Sequence, residues 1–276
     1  MSTWKPSARL FAVTILALAT ALLLSCSSKE KAGTGGSPTA QGSPTAEGSP
    51  SAEASPTPEL TPVLSPAPPR VPATSNVFGN PGFEDGRDPW FSLKAPDFEL
   101  ANVAHSGQNS AHLMMRDGPE TAGAKVYYLV QEVNPTEFPE VISGYYRVDN
   151  WVKGTPKQYL QFVAIVFGAE NRPPEFPNHQ IRYLLAGISE DPFKINNAKF
   201  VYLSKDEPVQ GEWVPFKVNV KQDFQDLWGA VPVNYERIRL LFEVRFDDKI
   251  PNIGAPEADV YYDDLYFGPA EGASVP

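Results

Sequence analysis

Arg237-Ile238-Arg239-Leu240-Leu241-Phe242-Glu243-Val244-Arg245-Phe246-Asp247 alternates with a period of two. Successive side chains of a β-strand point to opposite faces of the sheet. Ile238, Leu240, Phe242, Val244 and Phe246 therefore share one face, and Arg237, Arg239, Leu241, Glu243 and Arg245 share the other. The same period recurs on both sides of this stretch. Upstream, it predicts strands over 111–116, 125–133, 141–148, 159–167, 180–188, 199–203 and 213–220. Downstream, it predicts a last strand over 260–267. Proline and glycine punctuate the gaps, as at Pro173-Pro174, Pro177, Pro192, Pro208, Pro232, Pro251 and Pro256. No stretch longer than about ten residues carries a helical apolar stripe. Many strands, spaced turns and no helix predict an all-β fold, a jelly-roll β-sandwich.

The first part of the chain reads differently. Lys5 and Arg9 precede an apolar run from Leu10 to Leu24, which ends in Leu22-Leu23-Leu24-Ser25-Cys26. A basic segment, an apolar segment and a small residue before a cut make a secretory signal peptide. The run is about 15 residues, short for a spanning helix of roughly 20. Leu23-Leu24-Ser25-Cys26 resembles the bacterial lipoprotein lipobox. That resemblance implies cleavage before Cys26, lipidation of its thiol, and an anchor on a membrane outside the cytoplasm. Ser27 is not the aspartate known to retain some Gram-negative lipoproteins at the inner membrane. The expected place is therefore the outer membrane of a Gram-negative cell, or otherwise the outer face of the cell membrane.

Beyond Cys26 the repeats Gly36-Ser37-Pro38-Thr39-Ala40, Gly42-Ser43-Pro44-Thr45-Ala46 and Gly48-Ser49-Pro50-Ser51-Ala52 run in step with Glu47, Glu53 and Glu59. Such a segment cannot bury enough surface to offset its ordering entropy, so disorder is expected. Roughly 48 residues of this kind span on the order of 40 Å as a coil and about 150 Å when extended. The expected organisation is a signal peptide over 1–25, a lipidated Cys26 with a disordered stalk to 75, a sandwich over 76–268, and a tail over 269–276.

Cys26 is the only cysteine in the chain, which excludes a disulfide framework and a Cys-based zinc site in the sandwich. Removing Lys5, Arg9, Lys29, Lys31 and Arg70, and Glu30, Glu47, Glu53 and Glu59, from totals of 23 basic and 33 acidic residues leaves 18 against 29. That balance argues against nucleic acid as a partner and against direct adsorption on anionic lipid. It leaves sugars open.

Five short motifs occur in order along the sandwich. They are Asn80-Pro81-Gly82-Phe83-Glu84-Asp85-Gly86 with Pro89-Trp90; His105-Ser106-Gly107-Gln108-Asn109-Ser110; Ile142-Ser143-Gly144-Tyr145-Tyr146-Arg147-Val148; Gly211-Glu212-Trp213-Val214-Pro215-Phe216; and Val260-Tyr261-Tyr262-Asp263-Asp264-Leu265. Together they resemble the galactose-binding-like jelly rolls, which include several bacterial carbohydrate-binding module families. The resemblance implies the sandwich fold and a structural Ca2+ joining the first motif to the last strand. Carried over by motif, Gly82, Glu84, Ser106, Asn109 and Asp263 would supply its oxygen ligands. The alternative is that Glu84 and Asp263 are surface acids or cap turns through local hydrogen bonds.

Sugar rings stack their C–H faces on aromatic side chains, while their hydroxyls need polar partners. Trp151 and Trp228 sit in polar, loop-like surroundings and are expected to be exposed. Tyr145 and Tyr183, with Arg147 and Arg239, are the expected additions on a sheet face. Trp90 and Trp213 read as core. Catalysis finds little support, since Gly-x-Ser-x-Gly and His-Glu-x-x-His are both missing from the sequence. His179-Gln180-Ile181-Arg182-Tyr183 carries residue types useful to a polysaccharide lyase. A strand nevertheless puts Gln180 and Arg182 on one face and His179 and Tyr183 on the other. The expected function is a non-catalytic surface lipoprotein that binds a glycan. The alternative is a protein-interaction or structural piece of a cell-envelope assembly. Cys26→Ser is expected to abolish incorporation of radiolabelled palmitate and release the protein from the membrane pellet; unchanged labelling would overturn the lipobox reading.

Overall fold

Residues 66–192, 194–273 and 275 are described by a computed structural model. The signal peptide, Cys26 and the repeat-bearing part of the stalk lie outside the described residues. In chain order the elements are β1 (Arg70–Val71), β2 (Glu99–Ala101), β3 (Ser110–Arg116), β4 (Gly123–Pro135), β5 (Val141–Val152), β6 (Gln158–Phe167), β7 (Asn178–Ala186), β8 (Ala198–Tyr202), β9 (Trp213–Val218), α1 (Val220–Trp228), β10 (Arg237–Lys249) and β11 (Glu257–Gly268). All nine strands expected from the alternation are present.

The strands form two sheets, in the orders β1-β4-β10-β6-β7-β8 and β2-β3-β11-β5-β9. Pairing is antiparallel except for β1 with β4 and β7 with β8. From β3 to β6 the chain changes sheet at every connection, and it does so again from β9 through β10 to β11. This is a jelly-roll β-sandwich. Because side chains alternate, each long strand sends one set inward and one outward.

The inward sets fill the space between the sheets. Leu113, Met115, Tyr146, Val148, Val260 and Tyr262 come from the five-stranded sheet. Tyr127, Leu129, Leu160, Phe162, Ile181 and Phe242 face them from the six-stranded sheet. Phe242 is the hub. Its ring lies 5.3 Å from Tyr262, 5.8 Å from Phe162, 6.1 Å from Trp90, and 6.2 Å from both Phe78 and Phe216. Such tilted and edge-on pairs add to the burial of apolar area.

Three local features depart from the sequence reading. The strand expected over 213–220 stops at Val218, and α1 begins at Val220. Asn219 accepts a 2.9 Å hydrogen bond from the Gln222 amide, and Asp223 lies in the first turn. Val220 and Phe224, four apart, bury one face of this short helix. Its nine residues are too few for a periodic signal. Gly229, at φ 83°, ends it in the left-handed conformation. Secondly, the stalk boundary at 75 shifts, because Arg70–Val71 adds a parallel edge to β4. Thirdly, the tail packs back: Val275 is buried, and its carbonyl accepts a 2.9 Å bond from Lys217 Nζ. Composition does not show such edge additions, because they use backbone bonds and single side chains. Phe242→Ala is expected to cost about 3–5 kcal/mol in urea unfolding; a loss under about 1 kcal/mol would contradict its place as the core hub.

Candidate functional site

The outward side of β10 is not an ordinary wet face. Arg237, Glu243, Arg245 and Asp247 are all buried, although they point away from the core. Around them lie Tyr159 and Gln161 from β6 and Gln180 and Arg182 from β7, also buried. Strand register places Tyr128, Glu243, Gln161, Leu184 and Tyr202 in one row across β4, β10, β6, β7 and β8. Four strand spacings make that row about 19 Å long. Half-buried Tyr128 and Tyr202 stand at its two ends, with half-buried Phe200 beside Tyr202. Val130, Val163, Ile165 and Leu241 pave the neighbouring part of the same face.

The floor is held by paired charge. Gln161 Nε2 donates to Glu243 Oε2 at 2.6 Å, and Arg245 reaches the same oxygen at 3.5 Å. Arg245 also pairs with Asp247, whose other oxygen accepts from the Tyr159 hydroxyl at 2.8 Å. Arg182 Nε donates to Gln180 Oε1 at 3.0 Å. Arg237 and Arg239 share Glu132 at 3.1 and 2.6 Å. Burial disfavours the charge on Arg245, yet Glu243, Tyr159 and Asp247 hold its pKa above the ordinary value. Burial lowers that of Arg182, against the pull of Glu243. Burial and the Asp191 carboxylate push the Tyr202 hydroxyl up to about 12.

The residues singled out from the sequence fall in different places. Arg239 lies on this face. Tyr183 does not: its ring is buried in the core, stacked 4.6 Å from Phe162, with its hydroxyl bonded to Asp223. Tyr145 and Arg147 are on the outward side of the other sheet. There His105 stacks on Tyr145 at 3.6 Å, and Arg147 pairs with Asp149. Trp213 joins them half-buried, with its ring 5.8 Å from His105, and not in the core as expected.

Trp151 and Trp228 are half-buried against the core rather than exposed. Trp151 Nε1 donates to Glu207 at 2.7 Å. Trp228 packs edge-on to His179 under the Lys199 ammonium. The six expected ligand residues therefore do not form one platform. The split of the His179 motif is as alternation predicts. His179 is buried on the core side between Phe224 and Trp228, and burial and Arg172 lower its pKa to about 4.

The five expected calcium ligands do come together, at one corner of the five-stranded sheet. Asp263 is fully buried, and its carboxylate accepts the amides of His105 (2.7 Å), Ser106 (3.2 Å) and Asp264 (2.8 Å). Glu84 Oε1 accepts the amides of Gln108 and Asn109, both at 2.8 Å. Gly82 lies beside Asp263. Gly107, at φ 66°, makes this possible, since a Cβ there would meet the Glu84 carboxylate. These carboxylates face amide hydrogens, the positive ends of dipoles, which is the turn-capping arrangement. Among the described residues no group of three or more His, Cys, Asp or Glu side chains is gathered for a metal ion. In this structure the donor set forms a hydrogen-bonded clasp between the first motif and the last strand.

No family model matches the chain, and no curated protein matches it. Among solved structures it is similar to the module TmCBM61 in complex with β-1,4-galactotriose: 15% identity, TM-score 0.36, covering 70% of this chain and 98% of that one. It is also similar to the tandem CBM22 domains of Paenibacillus barcinonensis Xyn10C, with 14% identity, TM-score 0.38, and 70% and 49% coverage. A third is the enzymatically active domain of tailspike protein 4 from bacteriophage CBA120, with 13% identity, TM-score 0.36, and 70% and 21% coverage. Likeness at this level decides neither ligand nor activity, and the fold stands on the strand order above.

The outward side of the five-stranded sheet holds one more charged hub. Asp259 accepts from Arg116 and Asn150, both at 2.6 Å, and lies 2.8 Å from His112 Nε2. Burial favours the protonated acid, but these bonds outweigh it and hold the pKa below the ordinary value. A folded-state pKa below the unfolded one contributes stability above about pH 4, and that stability is lost as pH falls through the folded value. Urea titrations from pH 7 to pH 3 are therefore expected to converge for the wild type and Asp259→Asn as pH drops; a gap that stays constant would contradict this.

Proposed function

We propose that this protein binds a polysaccharide, without cleaving it, along the outward face of the six-stranded sheet. The observation that carries this reading is the buried belt of Glu243, Gln161, Arg245, Asp247 and Arg182 between Tyr128 and Tyr202. Taking ions out of water costs several kcal/mol each, and apolar side chains of similar volume often serve stability as well or better. The belt is therefore weak evidence for a role in stability alone. An array of fixed polar groups with aromatic rings at both ends suits a chain of sugar rings, which need stacking and hydroxyl partners together.

The state of the carboxylates supports binding rather than cleavage. Glycoside hydrolysis needs one acid and one base or nucleophile, held apart across the bond. Glu243 and Asp247 are both locked to Arg245. His179, the histidine next to Gln180 and Arg182, lies across the sheet in the core. In this reading the lipid on Cys26 and the proline-rich stalk would carry the domain at the cell surface. The clasp at Asp263 would position the loops without calcium.

A glycan array on the purified protein tests the proposal. Binding to at least one polysaccharide is expected, unchanged by EDTA, with no new reducing ends released. Tyr128→Ala and Tyr202→Ala are each expected to weaken it about tenfold, since stacking on one ring contributes on the order of 1–1.5 kcal/mol. Binding to no glycan, or full binding by both variants, would sink the proposal.

A further inference from the structure

Of the three histidines in the chain, one is placed unlike the other two. His105 and His112 each meet a carboxylate, Asp264 at 2.6 Å and Asp259 at 2.8 Å. His179 is 2% exposed, and its Nδ1 has no hydrogen-bond partner among the described residues. Its ring is wedged instead between two rings of α1, edge-on to Phe224 at 5.3 Å and to Trp228 at 5.2 Å. Val220, Phe224 and Trp228 are four apart, so they line one stripe of the helix. That stripe docks α1 on the sandwich. Phe224 also packs on Phe138 at 5.2 Å, and Trp228 Nε1 donates to the Gln180 carbonyl at 3.3 Å. A helix of nine residues does not persist in water by itself. α1 therefore depends on its docked stripe, and His179 sits between the two rings of that stripe.

We propose that α1 is an acid-released flap: protonation of His179 undocks Phe224 and Trp228 and opens this end of the sandwich. A charge arriving in an apolar wedge without an acceptor is costly. The charged groups around it do not relieve it. Arg172, in the loop after β6, and Lys199, on β8 over the Trp228 ring, are both cations. Asp223, on α1, is already bonded to the Tyr183 hydroxyl at 2.8 Å, and Asp226 is exposed and bonded to Gln222. Burial, with Arg172, holds the pKa of His179 at about 4, below the ordinary 6.5. Its contribution to the docked state is therefore full above about pH 6.5 and is lost as pH falls toward about 4. Burial, with Asp226, raises the pKa of Asp223, so acid relieves that carboxylate and does not drive release. The histidine alone sets the direction. Release would uncover Phe138 and the buried faces of Phe224 and Trp228, beside Ala73 and Thr74 near the start of the sandwich.

Hydrogen exchange of the purified protein, read peptide by peptide from about pH 7.5 to about pH 4.5, tests the flap once the intrinsic effect of pH on exchange is divided out. The opening of α1 is expected to grow about tenfold per pH unit between about pH 6 and pH 4.5, while the amides of β6 and β10 stay protected. His179→Phe keeps a ring between Phe224 and Trp228 and removes the titration. Protection of α1 in this variant should be the same at both ends of the range. Wild-type α1 protection that does not change with pH, or that falls together with β6 and β10, would overturn the proposal. So would an unchanged pH slope in His179→Phe. Should that variant fail to fold, the wild-type comparison of α1 with β10 decides the matter by itself.

Discussion

One strand carries the constraint on which the rest depends. β10 runs between β4 and β6, so its inward side chains enter the middle of the core and its outward ones the middle of the opposite face. Phe242 and Glu243 are neighbours in the chain, and the pleat separates them to the two sides of the sheet. Phe242 meets five other aromatic rings. Glu243 meets Gln161 and Arg245. A slip of one residue in register would drive the charges into the core and expose the rings. The apolar packing therefore fixes the register, and the register in turn places the charges of the proposed site.

The two outward faces then behave differently. On the six-stranded sheet, long polar side chains lie over one another and bury their own charges in bonded pairs. On the five-stranded sheet, aromatic groups pair with one another: His105 covers Tyr145, and His112 stacks on Tyr261 at 4.6 Å. A ring already covered by a neighbour has less face to offer a sugar.

The loops that bring the ends of the sandwich together depend on buried acids. Asp263 and Glu84 satisfy loop amides that would otherwise be left without partners, and each missing bond would cost on the order of 1–3 kcal/mol. The turn at Gly107 and the Asp263-Asp264 pair are thus parts of one clasp, although they are more than 150 residues apart.

The sequence by itself determined the nine main strands, the faces of β10, the burial of Trp90 and the split of His179 from Arg182. All of these follow from a side-chain period of two, which is a local property of the backbone. It also marked Gly82, Glu84, Ser106, Asn109 and Asp263 as a group, because short motifs carried them. Only the tertiary structure decided which outward residues are neighbours. Strand order is set by pairings distant in the chain, so the row from Tyr128 to Tyr202 has no trace in any one segment. It also decided burial: Tyr183, Trp151 and Trp228 have the same residue types whether they face solvent or a neighbouring element. The short helix α1 and the edge strands were settled the same way, by capping and by contacts with the assembled sandwich. The charges of β10 were visible as a pattern, but that they are buried and paired depends on what β4, β6 and β7 lay beside them.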